Sequence, residues 1–438
     1  MNQRAAGAVE AVFREEWGRL LATLVRWLGD LDLAEEVAAD AIAVAVERWP
    51  VDGVPDRPGA WLLTAARRRA VDLLRRRQTY AAKLAVLKVE AERADAEHRP
   101  AAAPMPIEDD RLRLFFTCCH PALPSDGRVA LTLRYLAGLS TAEVARAFLV
   151  PERTMAQRLT RAKRKIQDAG IPYRVPSADQ LPSRLPAVLS VIYVVFTEAY
   201  AASRGAALVR PDLADEAIRL ARILRDLLPG EREVAGLLAL LLLIDSRRDA
   251  RLDKTGRLVL LADQDRSLWD RTKIQEGISL LRRALPGRRP GPYALQAAIA
   301  ALHDEAPSFE STDWRQIVAL YDVLRAVAPS PLVDLNRAVA VGMARGPAAG
   351  LAHLDKLMGV PELQRYHLLP SARARFLEEL GRRDEAAQAY RQALELVGND
   401  VERTFLQRRL DVCVGAANDS RRPRPTGPIC EPNWRPPV

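Results

Sequence analysis

The residues of this 438-residue chain best placed to do chemistry are basic and hydrogen-bonding side chains at helical spacing. In LTLRYLAGLSTAEVARAFLVPERTMAQRLTRAKRKIQDAG, the residues Arg153, Gln157, Thr160, Arg161 and Arg164 stand at i, i+4, i+7, i+8 and i+11. One face of a helix therefore presents all five, while Met155, Leu159, Ala162 and Ile166 line the other. Guanidinium and carboxamide groups bond phosphate oxygens and base edges, and a helix of this two-faced kind fits the major groove. Six basic residues and no acid lie between Arg153 and Lys165. Upstream, Ser140 with Glu143 three positions later predicts a capping box opening a short helix that runs to about Phe148. Pro151, in the turn LVPE, suits the start of the next helix. The segment reads as a helix-turn-helix.

A second constellation pairs an acidic helix with a basic one. DLAEEVAADAIAVAVERW (32–49) carries five acids and no base before Arg48. Asp32, Glu36 and Asp40 recur at i, i+4 and i+8, and Glu47 returns to nearly the same angle. Leu33, Val37, Ala41 and Val44 are expected on the neighbouring face. Stacked like charges disfavour an isolated helix by a few tenths of a kcal/mol per pair, about 0.2–0.5. The stripe thus reads either as a docking surface for a basic partner or as an ordinary solvated face. WPVDGVPDRPGA follows as a loop, and then WLLTAARRRAVDLLRRR (61–77), with Leu62, Leu63, Ala66, Ala70, Leu73 and Leu74 as its core stripe. Arg67, Arg68 and Arg69 recur a heptad later as Arg75, Arg76 and Arg77, against one acid, Asp72. Such a density suits phosphate contacts. Trp49, Trp61 and Tyr80 flank it, and aromatics beside a basic groove hold unstacked bases; burial in the core is the other reading of the two Trp residues.

Other clusters point to no site. Cys118, Cys119 and His120 are adjacent, but neighbouring cysteines rarely chelate one ion together and no second Cys or His pair stands near them. Glu198 and Tyr200 lie on a strongly apolar segment, where a buried polar pair is structural. The remaining histidines are scattered, and there is no Gly-rich phosphate loop or HExxH. The expectation is a protein without enzymatic activity, metal or cofactor.

These residues need helices to position them, and the composition supplies helices. Apolar residues make up 49% and charged residues 28%, as in globular domains. Aromatics are only 5%, and the abundance of Ala and Leu favours helix over sheet. At roughly 150 residues per domain, two to four domains are expected. No uninterrupted apolar run reaches the ~20 residues of a membrane span; the longest, Val234–Ile244 around Gly236, reads as a buried helix. MNQRAAGAVEAVFREEW has no apolar signal core, and four cysteines form no disulfide framework. A cytoplasmic location without membrane contact follows as an expectation. The net charge of +9 comes from 65 Lys+Arg against 56 Asp+Glu, and only seven of the 65 are Lys.

Along the chain the helical pattern breaks into blocks. A compact block spans 9–77, a linker 78–108, the helix-turn-helix block 109–170, and a long helical region 186–412. The Pro- and Arg-rich tail 413–438 is expected to be disordered. Within the long region, Tyr321, Leu354 and Tyr390 occupy equivalent places in DWRQIVALYDVLRAVAP, AAGLAHLDKLMG and DEAAQAYRQALELVG, at intervals of 33 and 36. A period near 34 resembles tetratricopeptide helix pairs; an irregular bundle with chance spacing is the other reading. The predicted fold class is all-α, with two small helical domains followed by a tetratricopeptide-like repeat domain.

An acidic helix, a basic helix and a helix-turn-helix in this order resemble the extracytoplasmic-function group of the sigma-70 family of RNA polymerase sigma factors. The carrying stretches are DLAEEVAADAIAVAVERW, RPGAWLLTAARRRAVDLLRR and LRYLAGLSTAEVARAFLVPERTMAQRLTRAKRKI. LRLFFTCCHPALP and AGIPYRVP resemble the subgroup with a long tetratricopeptide-like C-terminal extension.

The resemblance implies that 9–77 is region two. Its Asp32, Glu36, Asp40 and Glu47 would dock on the β′ clamp helices of core RNA polymerase. Trp61, Arg67, Arg68, Arg69, Arg75 and Arg76, with the loop 50–60, would melt and hold the −10 element. It implies that 109–170 is region four, reading the −35 element through Arg153, Gln157, Thr160, Arg161 and Arg164 and touching the β flap. The linker would thread the polymerase channel. The family pattern has Asn where Arg68 stands and Gly where Leu149 stands. Expected partners are core polymerase, promoter DNA and a protein bound by the C-terminal domain. The competing expectation is a one-component helix-turn-helix regulator with a helical sensor domain, which leaves 32–77 without a purpose.

Overall fold

A computed structural model describes residues 3–76, 110–148, 150–202, 204–285 and 290–415 of the chain. Among the described residues there are eighteen α-helices and no β-sheet, as the composition predicts. They divide into two compact units, Met1–Val191 and Ile192–Val438.

The first unit begins with a three-helix group: α1 (Gln3–Leu28), α2 (Leu31–Asp52) and α3 (Pro58–Arg76), each packed on the other two. Asp30 caps α2, its carboxylate accepting from the Asp32 and Leu33 amides at 2.9 and 3.0 Å, which satisfies donors a helix start leaves unpaired. The helix outlasts the sequence expectation by three residues. Pro50 lies inside its last turn, and Gly53, at φ +84°, closes it by donating to the Trp49 carbonyl at 3.0 Å. Pro58 likewise starts α3 rather than belonging to the loop, since an N-terminal Pro gives up no intrahelical bond.

The buried side of α2 is Leu33, Ala34, Val37, Ala38, Ala41, Ala45 and Trp49. Val44, expected among them, is exposed, and its neighbour Ala45 is buried in its place. On α3 the core stripe is as expected at Leu62, Ala66, Ala70 and Leu74, all buried.

Four more helices complete the unit's helix-turn-helix half: α4 (Asp110–Cys118), α5 (Ser125–Tyr135), α6 (Thr141–Ala147) and α7 (Glu152–Asp168). Their core holds Leu114, Phe115, Phe116, Leu131, Val144, Met155 and Leu159. The expected linker 78–108 lies outside the described residues, as do Arg77, Tyr80 and Leu149 and the side chains of Arg75 and Arg76.

Helix α8 (Leu181–Tyr200) carries the boundary between the units within its length. It starts five residues before the expected domain start, with Pro182 in its first turn and Pro186 inside. Among the described residues it is the one helix whose length and composition suffice to cross a membrane, and 50% of its apolar window is buried. Arg184 and hydroxyl residues interrupt its apolar stretch, so it contains no uninterrupted apolar run of that length.

The second unit continues with α9 (Pro211–Leu227), α10 (Arg232–Asp245), α11 (Arg271–Ala284) and α12 (Pro292–Glu305). It ends in α13 (Trp314–Val327), α14 (Pro331–Arg345), α15 (Pro347–Leu357), α16 (Leu368–Glu379), α17 (Arg383–Leu396) and α18 (Asp400–Gly415). From α12 onward each helix packs on the next. Tyr321, Leu354 and Tyr390 fall on α13, α15 and α17, every second helix, and all are buried. The spacing read from sequence is therefore a two-helix period; α10, packed on both α11 and α12, stands outside it. Helix α18 reaches three residues beyond the expected end at 412, its final turn containing the buried Cys413. The tail beyond Gly415 lies outside the described residues.

Candidate nucleic-acid interface

Helix α6 is opened by the capping box that Ser140 and Glu143 predict: the Glu143 amide donates to Ser140 Oγ at 3.2 Å and the Ser140 amide to Glu143 Oε2 at 2.7 Å. This pair of hydrogen bonds fixes where α6 begins, and the buried Val144 anchors α6 in the core. Pro151 then sets the N-terminus of α7, whose Met155, Leu159 and Ala162 are buried and whose Ile166 is half-buried. With that side fixed inward, Arg153, Gln157, Thr160, Arg161 and Arg164 are all exposed. The face predicted from spacing is therefore presented to solvent as a unit.

The five are not equivalent. The Thr160 hydroxyl donates to the Ala156 carbonyl at 2.9 Å, so it offers a ligand only its acceptor lone pairs. Arg164 sits 3.4 Å from Asp168, one turn on. Arg158, one residue after Gln157, turns back to Asp126 at 3.4 Å and lies over the Phe148 ring, bracing α7 against α5 and the turn.

On the other half of the unit, α3 presents Arg68 to solvent, while Arg67 is half-buried with its guanidinium 5.7 Å from the Trp27 ring centroid. Arg69 bonds Asp40 of α2 at 2.6 Å through Nε. The carboxylate raises the Arg69 pKa. This ion pair joins the expected docking stripe to the expected DNA-binding triplet, so neither residue is a bare charge. Trp49 is buried and Trp61 half-buried, their rings edge to face with centroids 5.4 Å apart. Trp49 therefore takes the core reading, and the part-exposed Trp61 rests on it.

Of the acidic stripe, Glu36 and Glu47 are exposed, Asp40 holds Arg69, and Asp32 meets Lys163 of α7. Beside Asp32 stands Glu35, which sequence reading counted among the acids but did not place on the stripe. Arg134 of α5 donates to Glu35 Oε1 from Nε at 2.7 Å and from Nη2, and Tyr135 donates to Oε2 at 3.0 Å. Burial, with Glu35 adjacent, pushes the Tyr135 phenol well above its usual range. A partner 99 residues away in sequence leaves no periodic signal, which is why Glu35 escaped notice.

Cys118 and Cys119 are buried, and burial raises both thiols, Cys119 to about 11. His120 Nδ1 accepts the Ala122 amide at 3.1 Å in a local turn. Among the described residues no group of three His, Cys, Asp or Glu side chains is placed to hold a metal ion. Glu198 and Tyr200 do not pair with each other: Glu198 faces Arg210 at 4.0 Å, and Arg251 donates to the Tyr200 carbonyl and stacks 3.9 Å over its ring. Two positions apart on a helix, their side chains diverge.

The comparisons with known proteins agree with this arrangement. Residues 12–80 match sigma-70 region 2 and residues 116–166 match sigma-70, region 4. Residues 184–285 match a family of unknown function, DUF6596. An uncharacterized protein of Rhizobium meliloti (strain 1021) is 44% identical over 396 residues, 89% of this chain and 92% of that one. The ECF RNA polymerase sigma factor SigK of Mycobacterium tuberculosis and Mycobacterium bovis is 29% identical over 174 residues, 38% of this chain and 89% of its own length. The chain belongs to the sigma-70 family as an extracytoplasmic-function (ECF) sigma factor with a C-terminal extension. Its sigma domains carry binding to core RNA polymerase and to promoter DNA.

Proposed function

We propose that the chain directs core RNA polymerase to promoters with two elements. Helix α7 reads the −35 element through Arg153, Gln157, Arg161 and Arg164, while α3 and the loop before it melt and hold the −10 element. Glu36 and Glu47, with Asp32 and Asp40, dock α2 on the β′ clamp helices, and the helix-turn-helix half touches the β flap. The chain performs no chemistry of its own and works in the cytoplasm. Its helical second unit is a tetratricopeptide-like surface that regulates the first or binds a protein partner. One observation carries the reading: a single α-helix buries Met155, Leu159 and Ala162 and thereby exposes a complete row of base- and phosphate-bonding side chains.

The polymerase half of the proposal is tested by Glu36→Lys with Glu47→Lys. Both side chains are exposed. The reversed chain is expected to lose about tenfold or more in affinity for core polymerase, ~1.4 kcal/mol, with its helical content unchanged. Unaltered affinity would contradict the docking surface.

A further inference from the structure

Five polar side chains of the second unit converge where the turn after α10, the last turn of α12 and the segment leading into α11 meet. Arg247, just past α10, has Nε 3.3 Å from Asp304 Oδ1 and its guanidinium 5.8 Å from the Trp269 ring centroid. The Arg266 guanidinium stands 4.3 Å from the same centroid, and its Nη1 donates to the His303 and Ala306 carbonyls, both at 2.8 Å. His303 rests edge to face on Trp314, with ring centroids 5.1 Å apart. The surroundings are fixed in place. The Asp270 amide donates to the Ser246 carbonyl at 2.8 Å, and the Asp270 carboxylate caps α11 through the Thr272 and Lys273 amides at 2.9 and 3.0 Å. Trp269, His303 and Asp304 are each 3% exposed. Yet Trp269 Nε1, Arg266 Nη2, His303 Nδ1 and both Asp304 carboxylate oxygens are buried without a hydrogen bond among the described residues. Each such atom costs its desolvation, and folded proteins leave few of them. Five in one place call for a common cause.

We infer that this cluster binds a small oxyanion that carries its own hydrogen-bond donor, of the class of hydrogen phosphate or a hydroxycarboxylate. Two guanidinium groups against one carboxylate leave the cluster one negative charge short, and buried charges need pairing. Arg271, Glu305 and Glu310 stand nearby but are exposed, where water and salt screen them. Guanidinium and indole N–H groups donate only, so Arg266 Nη2 and Trp269 Nε1 both require acceptor oxygens. A planar guanidinium matches carboxylate and phosphate oxygens in geometry. Asp304 reverses the requirement at one point. Its ionised oxygens only accept, so the ligand must present an O–H or N–H to them. Hydrogen phosphate does so; sulfate, of the same shape but unprotonated near neutral pH, does not. His303 Nδ1 serves in either role, according to which ring nitrogen holds the proton. A bound oxyanion cross-links α10, α12 and the segment before α11, which gives the second unit an effector site in addition to any protein partner.

The test is calorimetric titration of the full-length chain with inorganic phosphate, sulfate, glycolate and acetate at matched ionic strength. It is run at pH 8, where the Asp304 carboxyl, raised to about 7, is ionised. Phosphate is expected to bind at least tenfold tighter than sulfate, or glycolate at least tenfold tighter than acetate. The pair that discriminates identifies the source as phosphate or carboxylate. Trp269→Phe, which keeps an aromatic ring and removes the N–H donor, weakens the preferred anion at least threefold with helical content unchanged. Asp304→Asn, whose amide donates, brings the donor-free anion to within threefold of its counterpart. Binding of neither phosphate nor glycolate overturns the site and leaves the cluster a polar network of the core. Sulfate and acetate binding as tightly as their counterparts overturns it as well, and this comparison needs no variant to fold. So does a folded Trp269→Phe chain that binds like wild type.

Discussion

At the scale of single residues, the exposed face of α7 proposed to read DNA holds side chains whose hydrogen bonds are already given and others for which the structure shows none. Arg161 is exposed. If it bonds a base edge, Arg161→Ala costs roughly 1–3 kcal/mol at one promoter position, whereas uniform weakening on all sequences would make it a phosphate contact. Thr160→Ala should change promoter affinity by less than threefold, because its donor is held by Ala156. Both are read in promoter binding by the reconstituted polymerase.

In the second unit, the neighbours His303 and Asp304 are buried beside Arg247 and Arg266. Burial lowers the imidazole to about 3 and raises the carboxyl to about 7, despite the two guanidinium groups that pull it down. In the unfolded chain their values are about 6.5 and 3.9. Between pH ~4 and ~6.5 the unfolded state therefore holds a proton on His303 and the folded state holds one on Asp304, and their contributions to stability oppose each other. Relative to wild type, Asp304→Asn should make melting temperature climb with pH over that window, and His303→Gln should make it fall. Equal slopes in all three chains would show that the two groups do not titrate as their burial dictates.

At the scale of the element, what the sequence showed depended on whether the determining contacts were local. The capping box at Ser140, the turn at Pro151 and the two-faced pattern of α7 are all set within a few residues, and each was legible. Helix ends marked by proline were misjudged: Pro50 and Pro186 lie inside helices, because tertiary packing of Trp49 and of the apolar face of α8 outweighs one missing backbone bond. Val44 and Ala45 exchanged places for a similar reason, since which of two neighbours turns inward is decided by the helix opposite. The cap is the element's most direct test. Ser140→Ala removes one of the two reciprocal bonds and is expected to destabilise the first unit by about 1 kcal/mol, seen as a lower denaturation midpoint. A neutral result would mean that packing of Val144 alone holds α6 in place.

At the scale of the whole molecule, the pairing of regions was invisible in the sequence. Asp32 was read as one charge in a stripe and Lys163 as one in a basic row; only the fold shows that they bond each other. The spacing of Tyr321, Leu354 and Tyr390 was legible because each is a buried side chain on every second helix of this stretch. Its irregular beginning, where α10 packs on two helices at once, has no period to detect.

The account's central claim is that this chain confers promoter choice on polymerase, and reconstitution tests it most directly. The full-length chain is added to sigma-free core RNA polymerase, and transcripts from a fragmented genomic library are mapped. Discrete start sites preceded by two shared sequence elements are expected. Absence of such start sites, while the chain binds DNA fragments without polymerase, would contradict a role in promoter choice.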